Sequence, residues 1–225
     1  MGTRLKTLSS AFGDLPKPLM PIGGRPLLER QIEWLAGHRV HDIVLCVGHG
    51  AEQVRAALGE GERFGVRLHY STEEEPLGTA GALRLARGHV RGPALVVNGD
   101  TLAPCDPWVV ERTRWETGAL GAIALFQVPD ASARGRVERD GGGRITRFVE
   151  KDAAHRGPAW VNGGLYAFAP RAWQYIPASG AASLEREVLP LLASERRLQG
   201  CETDGEFWDI GTPADWERAD RQFSA

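Results

Sequence analysis

The sequence carries cations near its N-terminus and aspartates at the ends of apolar runs, residue types that together can handle phosphate and a divalent cation. Met1-Gly-Thr-Arg-Leu5 is followed by Leu15-Pro-Lys-Pro-Leu19. Small residues let backbone N–H groups approach a phosphate, Arg4 offers a forked donor and Lys17 a point charge. Taken alone, a solvated arginine and a lysine between two turn-forming prolines account better for the same residues. Asp100 lies in Val97-Asn-Gly-Asp-Thr101, after an apolar stretch. Beyond the carboxyl end of a strand, a carboxylate can hold a magnesium ion carrying phosphates, and a turn-capping aspartate fits equally. Asp209 stands among bulky residues in Phe207-Trp-Asp-Ile-Gly-Thr-Pro213. There a carboxylate is costly unless it is paired, hydrogen-bonded or metal-bound. Two aspartates this far apart converge only if the fold brings them together, and Asp209 can otherwise cap the following turn.

Further pairs suit a polar ligand. In Phe148-Val-Glu-Lys151, Lys151 can hold a phosphate and Glu150 can accept sugar hydroxyls if the strand has ended; as strand neighbours they point apart and make a surface pair worth about 0 to 1 kcal/mol. Asn162-Gly-Gly164 follows at the start of another apolar run. Glu73-Glu-Glu-Pro-Leu-Gly-Thr-Ala-Gly-Ala82 joins an acidic run to a turn that opens a helix. Small residues at such an entry let a flat base lie close to the backbone, whereas the charge run by itself is a solvated loop.

The elements that would position these residues follow from hydrophobic periodicity. Leu27, Leu28, Ile32 and Leu35 make one helical face after Pro26, with Gly37 placed to end it. Asp42–Val47 reads as a buried strand, 51–58 as a helix, 66–70 as a strand, 80–86 as a helix and 94–97 as a strand. This alternation implies a mostly parallel sheet with helices on both faces. From 118 the rhythm changes: 118–127, 135–138, 145–149 and 160–168 are strand-like and should form mixed or antiparallel strands that add a lid. Asp140-Gly-Gly-Gly143 is a tight turn, and helices return at 183–193 and 213–220, the latter with proline in its first turn.

A chain of 225 residues suits one domain with a well-buried core. Its 27 basic and 29 acidic side chains nearly cancel, which gives no electrostatic case for nucleic acid or an anionic membrane as partner. Cys46, Cys105 and Cys201 are odd in number and far apart, against a disulfide framework or a zinc site and for a reducing compartment. No apolar run approaches the roughly 18 residues of a membrane span, and no signal-peptide pattern opens the chain. A cytoplasmic protein is expected, with homo-oligomerisation left open.

In order, Gly2-Thr-Arg4, Pro16-Lys-Pro18, Pro76-Leu-Gly-Thr-Ala-Gly81, Asn98-Gly-Asp-Thr101, Phe148-Val-Glu-Lys151, Asn162-Gly-Gly-Leu-Tyr166 and Trp208-Asp-Ile-Gly-Thr-Pro213 resemble the sugar-1-phosphate nucleotidyltransferase family over nearly the whole chain. The resemblance implies an α/β, Rossmann-like three-layer α/β/α (GT-A-like) domain, with 1–115 as the nucleotide-binding half and 116–225 as the sugar-phosphate-binding half. It implies that Gly2, Thr3, Arg4 and Lys17 handle the triphosphate, that Gly78 and Thr79 flank the base with Asn98 nearby, and that Asp100 and Asp209 ligate Mg²⁺. Lys151 would bind the sugar phosphate, with Glu150, Asn162, Gly163 and Gly135 lining the sugar. Arg4, Lys17, Asp100 and Asp209 would carry the catalysis.

Asp14-Leu-Pro-Lys-Pro18, Pro21-Ile-Gly-Gly-Arg-Pro26 and Ser183-Leu-Glu185 look most like short guanylyltransferases acting on heptose 1-phosphate or mannose 1-phosphate, which makes GTP the expected nucleotide. A carboxylate such as Glu73 can accept from both N1–H and the exocyclic amine of guanine, whereas uracil and thymine offer one such donor. A uridylyltransferase for N-acetylmuramic acid 1-phosphate or another hexose 1-phosphate and a catalytically silent nucleotide-sugar-binding regulatory homologue are the alternatives. The family opens with an apolar strand ending in Ala-Gly-Gly, and here Met1 stands directly before Gly2. The expectation is therefore that Met1 is internal to a longer reading frame, which the upstream coding DNA checks, and that a chain truly starting at Met1 would be weakly active or silent.

Overall fold

The computed structural model describes residues 15–131, 135–149 and 157–224. Along the chain, the short strands β1 (Pro21–Ile22) and β2 (Arg25–Pro26) pair antiparallel and lead into helix α1 (Leu27–Gly37). The expected face of α1 is buried, with Gln31 buried beside it. Strand β3 (Asp42–Val47), helix α2 (Ala51–Leu58) and strand β4 (Arg67–Thr72) follow, and the two strands pair in parallel register, Asp42 opposite Arg67 and Val47 opposite Thr72. Helix α3 (Gly78–Ala86) precedes strands β5 (Ala94–Val97) and β6 (Thr101–Leu102).

Helix α4 (Pro107–Glu116) has no counterpart in the sequence reading. Its termini are well marked: the Asp106 carboxylate accepts from the Trp108 N–H at 2.9 Å, and Pro107 occupies the first turn. Its periodicity is not, because Trp108 and Trp115 point to solvent and few apolar positions are left to mark the buried face. Strands β7 (Gly121–Val128), β8 (Arg136–Arg139), β9 (Ile145–Val149) and β10 (Ala159–Phe168) come next. The Asp140–Gly143 turn between β8 and β9 forms as expected: Gly143 N–H donates to Asp140 O at 2.9 Å, and the Asp140 carboxylate accepts from Gly142 and Arg144 N–H. A π-helical turn (Leu184–Val188) runs into helix α5 (Leu189–Ser194), then strands β11 (Leu198–Thr203) and β12 (Trp208–Asp209) and helix α6 (Pro213–Phe223).

Two compact units interleave along the chain. One holds the residues up to Glu74, Asn98–Pro104 and Phe207 onward, and contains the β3–β4 pair, the antiparallel β6–β12 pair and helices α1, α2 and α6. Ile22, Leu27, Leu102, Trp208, Ile210 and Ala219 form a core there. The other holds Glu75–Val97 and Cys105–Glu206, built on a sheet ordered β11-β7-β10-β8-β9 with β5 also paired to β10. Ile123, Leu125, Tyr166, Leu184, Leu189 and Leu198 centre its core.

The mixed character expected after 118 is present: β10 is antiparallel to β7, and β11 is parallel to β7. The expected parallel arrangement holds for β3 and β4, whereas β5 runs antiparallel to β10, Val97 opposite Leu165. An apolar run signals burial and carries no information about direction, which its partner decides. Among the described residues no helix is long and apolar enough to cross a membrane.

Candidate active-site residues

The first unit brings a lysine and two aspartates into register. Pro16 starts a 3₁₀ turn over Lys17–Leu19, closed by Leu19 N–H to Pro16 O at 2.8 Å. The fixed φ of the prolines holds this turn, and from it the Lys17 ammonium reaches the Asp100 carboxylate at 2.6 Å. Both side chains are half-buried.

Asp100 sits in a turn that is pinned from below. Thr101 N–H donates to Asn98 O at 3.2 Å, and the Gln31 amide donates to Asn98 O at 2.8 Å and to Thr101 O at 2.6 Å. A buried amide holding two carbonyls offsets the cost of taking them from water and fixes the loop. β6 then pairs with β12, placing Asp209 opposite Thr101, while Ile210 N–H donates to Asp100 O at 2.8 Å. Asp209, more than a hundred residues from Asp100 in sequence, is thus paired with Thr101, the residue that follows Asp100, and the backbone of Ile210 bonds to that of Asp100. Gly211 follows, and a Cβ there would lie 3.0 Å from Asp209 Oδ1. Thr212 then caps α6, its hydroxyl accepting from Asp215 N–H at 3.2 Å.

Two half-buried carboxylates are hard oxygen donors, the kind Mg²⁺ prefers. Among the described residues no cluster of three or more His, Cys, Asp or Glu side chains could hold a metal alone. A cation here would complete its shell with water and ligand oxygens, as Mg²⁺ does when it travels with phosphates.

Glu73 belongs to the same unit, just past β4. Its N–H donates to Val47 O at 2.9 Å, and its carboxylate lies over Gly48, where a Cβ would meet Glu73 Oε1 at 2.9 Å.

The second unit holds Gly78, Thr79, Gly135, Asn162 and Gly163. Gly78 has φ +73°, and a Cβ there would stand 2.5 Å from Ala182 O. That carbonyl accepts from Ala80 N–H at 3.0 Å and Gly81 N–H at 3.3 Å, so the small residues at the start of α3 admit a neighbouring backbone. Thr79 donates to the Glu185 carboxylate at 2.7 Å.

On β10 the pairing with β7 shifts register between Asn162 and Tyr166. Bulges of this kind re-aim side chains. The Asn162 side chain is held at both ends, its Nδ2 donating to Tyr166 Oη at 2.9 Å and its Oδ1 accepting from Gly164 N–H at 2.9 Å. Gly163 packs against Phe126, whose ring atoms lie 2.4 Å from where a Cβ would be. Gly135 leads into β8 and is exposed. Gly2, Thr3, Arg4, Glu150 and Lys151 lie outside the described residues.

The sequence reading missed Gln31 and gave Glu185 no chemical role. The signal for Gln31 was present, as a polar residue at a position of the buried helical face. Glu185 carried no such signal, since its contact with Thr79 crosses more than a hundred residues.

Comparison with known proteins follows the same lines. A family model described as "Nucleotidyl transferase" matches residues 1–224. The chain is similar to a mannose-1-phosphate guanyltransferase of Candida albicans, 37% identical over 223 residues that cover 96% of this chain and 60% of that protein. It is also similar to a mannose-1-phosphate guanylyltransferase catalytic subunit beta of Xenopus tropicalis, 35% identical over 222 residues with the same shares. The chain spans about 60% of the length of these curated relatives. Among solved structures, HddC from Yersinia pseudotuberculosis matches with a TM-score of 0.83 at 29% identity, covering 99% of this chain and 95% of that one. The structure of HddC complexed with GMP-PN matches at 0.82 and 27% identity, with the same coverage. The α/β, Rossmann-like fold class is shared with these structures.

Proposed function

Since the chain belongs to the nucleotidyl transferase family, we propose that it transfers the guanylyl group of GTP to a sugar 1-phosphate, mannose or heptose 1-phosphate, with release of pyrophosphate. The observation that carries this reading is the β6–β12 ladder, which pairs Asp209 with the residue after Asp100, together with Lys17 bonded to Asp100. Guanine is supported by the names of the curated relatives and by the GMP-PN bound to HddC. The chain is read as one functional domain, with 1–115 serving the nucleotide and 116–225 the sugar phosphate.

In the proposed reaction a phosphate oxygen of the sugar 1-phosphate attacks the α-phosphorus in line. The bond from that phosphorus to the oxygen bridging to the β-phosphorus breaks, and pyrophosphate leaves with the bonding pair. No general base is needed, because the attacking phosphate is already an anion at neutral pH. Lys17, with Arg4, offsets the negative charge that grows on the phosphate oxygens. A magnesium ion held by Asp100 and Asp209 would supply further charge neutralisation. Gln31 keeps the Asp100 turn in place, so that its carboxylate needs little reorganisation. Glu150, Lys151, Asn162, Gly163 and Gly135 serve the sugar phosphate, and Glu73, Gly78, Thr79 and Asn98 serve the nucleotide.

The test is pyrophosphate release from Mg²⁺, each of the four nucleoside triphosphates and a panel of sugar 1-phosphates. Release is expected with GTP and mannose or heptose 1-phosphate. Release confined to UTP with N-acetylmuramic acid 1-phosphate would replace guanylyl with uridylyl transfer, and no release from any pair would point to a silent binding homologue.

A further inference from the structure

We propose that Glu185 is a positioning residue for nucleotide recognition, clamping the Thr79 hydroxyl so that it presents a hydrogen-bond acceptor to the base. The inference rests on the guanylyl-transfer reading and adds to it a residue with no assigned role.

A threonine hydroxyl has one proton to donate and two lone pairs to accept with. On Thr79 the proton goes to Glu185 Oε2 at 2.7 Å, and one lone pair takes the Leu184 N–H at 2.7 Å. An exposed threonine would otherwise rotate and offer its proton in any direction. A carboxylate partner can only accept, so it dictates which way that proton points.

Glu185 is itself braced. Its Oε2 also receives the Ser183 hydroxyl at 3.1 Å, and Ser183 Oγ accepts from Arg186 N–H at 3.2 Å at the mouth of the π-helical turn. The backbone ties the same segments together, through Ala182 N–H to Leu77 O at 2.8 Å and the bonds from Ala80 and Gly81 to Ala182 O. The clasp is therefore made of side chains and main chain from two distant stretches, and π turns of this kind recur at functional sites.

What remains open on this clasp accepts only. Thr79 keeps one lone pair, since its proton and its other lone pair are committed to Glu185 and Leu184. Such an acceptor suits a base edge that presents an N–H donor, as guanine does with its amine, which has a second proton beyond the one a carboxylate such as Glu73 can take. It disfavours an edge that brings an acceptor, which would leave polar groups unpaired.

Four variants test the clasp: Glu185→Ala, Glu185→Gln, Thr79→Val and the Thr79→Val/Glu185→Ala pair. Glu185→Ala and Thr79→Val should each raise KM for GTP about tenfold to a hundredfold, as loss of a charge-assisted hydrogen bond implies, with kcat changed far less. Glu185→Gln should restore near-normal KM, because its carbonyl oxygen still accepts from Thr79. The double variant should be no worse than either single one, since both remove the same bond. A normal KM in Glu185→Ala, failure of the glutamine rescue, or additive losses would overturn the clasp. Hydrogen exchange of the ligand-free protein gives an independent reading. Glu185→Ala should speed exchange of the Ala80 and Gly81 amides several-fold, and unchanged exchange would sink the proposal whatever the enzyme does. Wild-type protein that releases no pyrophosphate while Glu185→Ala still loosens these amides would overturn guanylyl transfer and leave the clasp standing.

Discussion

Gln31 holds the turn that presents Asp100, and replacing it with leucine isolates that function. Leucine keeps the size and the helix propensity but donates nothing. Asn98 O would keep its bond from Thr101 N–H, while Thr101 O would lose the 2.6 Å bond from the buried amide. Two hydrogen bonds at about 1 kcal/mol each, plus desolvation of a carbonyl left unpaired, partly offset by a better-buried apolar side chain, come to about 2 kcal/mol. For a chain of this size 1 kcal/mol moves the midpoint by about 2–4 °C, so Gln31→Leu should lower Tm by about 4–8 °C in a circular-dichroism melt. A looser Asp100 should also raise the Mg²⁺ concentration needed for half-maximal turnover. If Gln31→Leu melts within about 1 °C of wild type with an unchanged Mg²⁺ requirement, Gln31 does not pin this turn and the reasoning fails.

Lys17→Met should separate function from stability. Its ion pair with Asp100 is partly exposed and worth at most about 1 kcal/mol, yet turnover should fall about a hundredfold or more if the ammonium offsets phosphate charge; a large loss of Tm with turnover intact would reverse that assignment. Gly163→Ala drives a methyl into Phe126 and should cost about 1–3 kcal/mol in urea unfolding, whereas Gly135→Ala meets Val149 O at an ordinary 3.4 Å and should be near neutral. Burial first, and the neighbouring Cys201 second, push the Cys105 thiol up to about 11. At pH 8 about one thiol in a thousand is therefore ionised, so labelling by a disulfide reagent should be slow there and accelerate toward pH 11, and rapid labelling at pH 7 would contradict the burial.

Much of the frame was legible because its signals are local. The face of α1, the run of β3 and the proline that opens α6 each follow from a few adjacent residues, and the structure reproduces them. The strand β11 escaped because Leu198–Thr203 mixes glycine and polar residues, its burial being set by β7 alongside it. The direction of β5 escaped because apolar content does not choose a partner. The pairing of Asp209 with the Thr101 strand and the Thr79–Glu185 bond are long-range facts for which a single sequence holds no periodic trace. Motif order supplied what periodicity could not, by singling out Lys17, Asp100 and Asp209 before their contacts were visible.

Transfer of the α-phosphoryl-linked nucleoside to a sugar phosphate is reported directly by the fate of labelled phosphorus. With Mg²⁺, mannose or heptose 1-phosphate and GTP labelled at either the α- or the γ-phosphorus, the α-label is expected in a nucleotide sugar and the γ-label in pyrophosphate. Appearance of the γ-label as inorganic phosphate, with the α-label left on a free nucleotide, would contradict it.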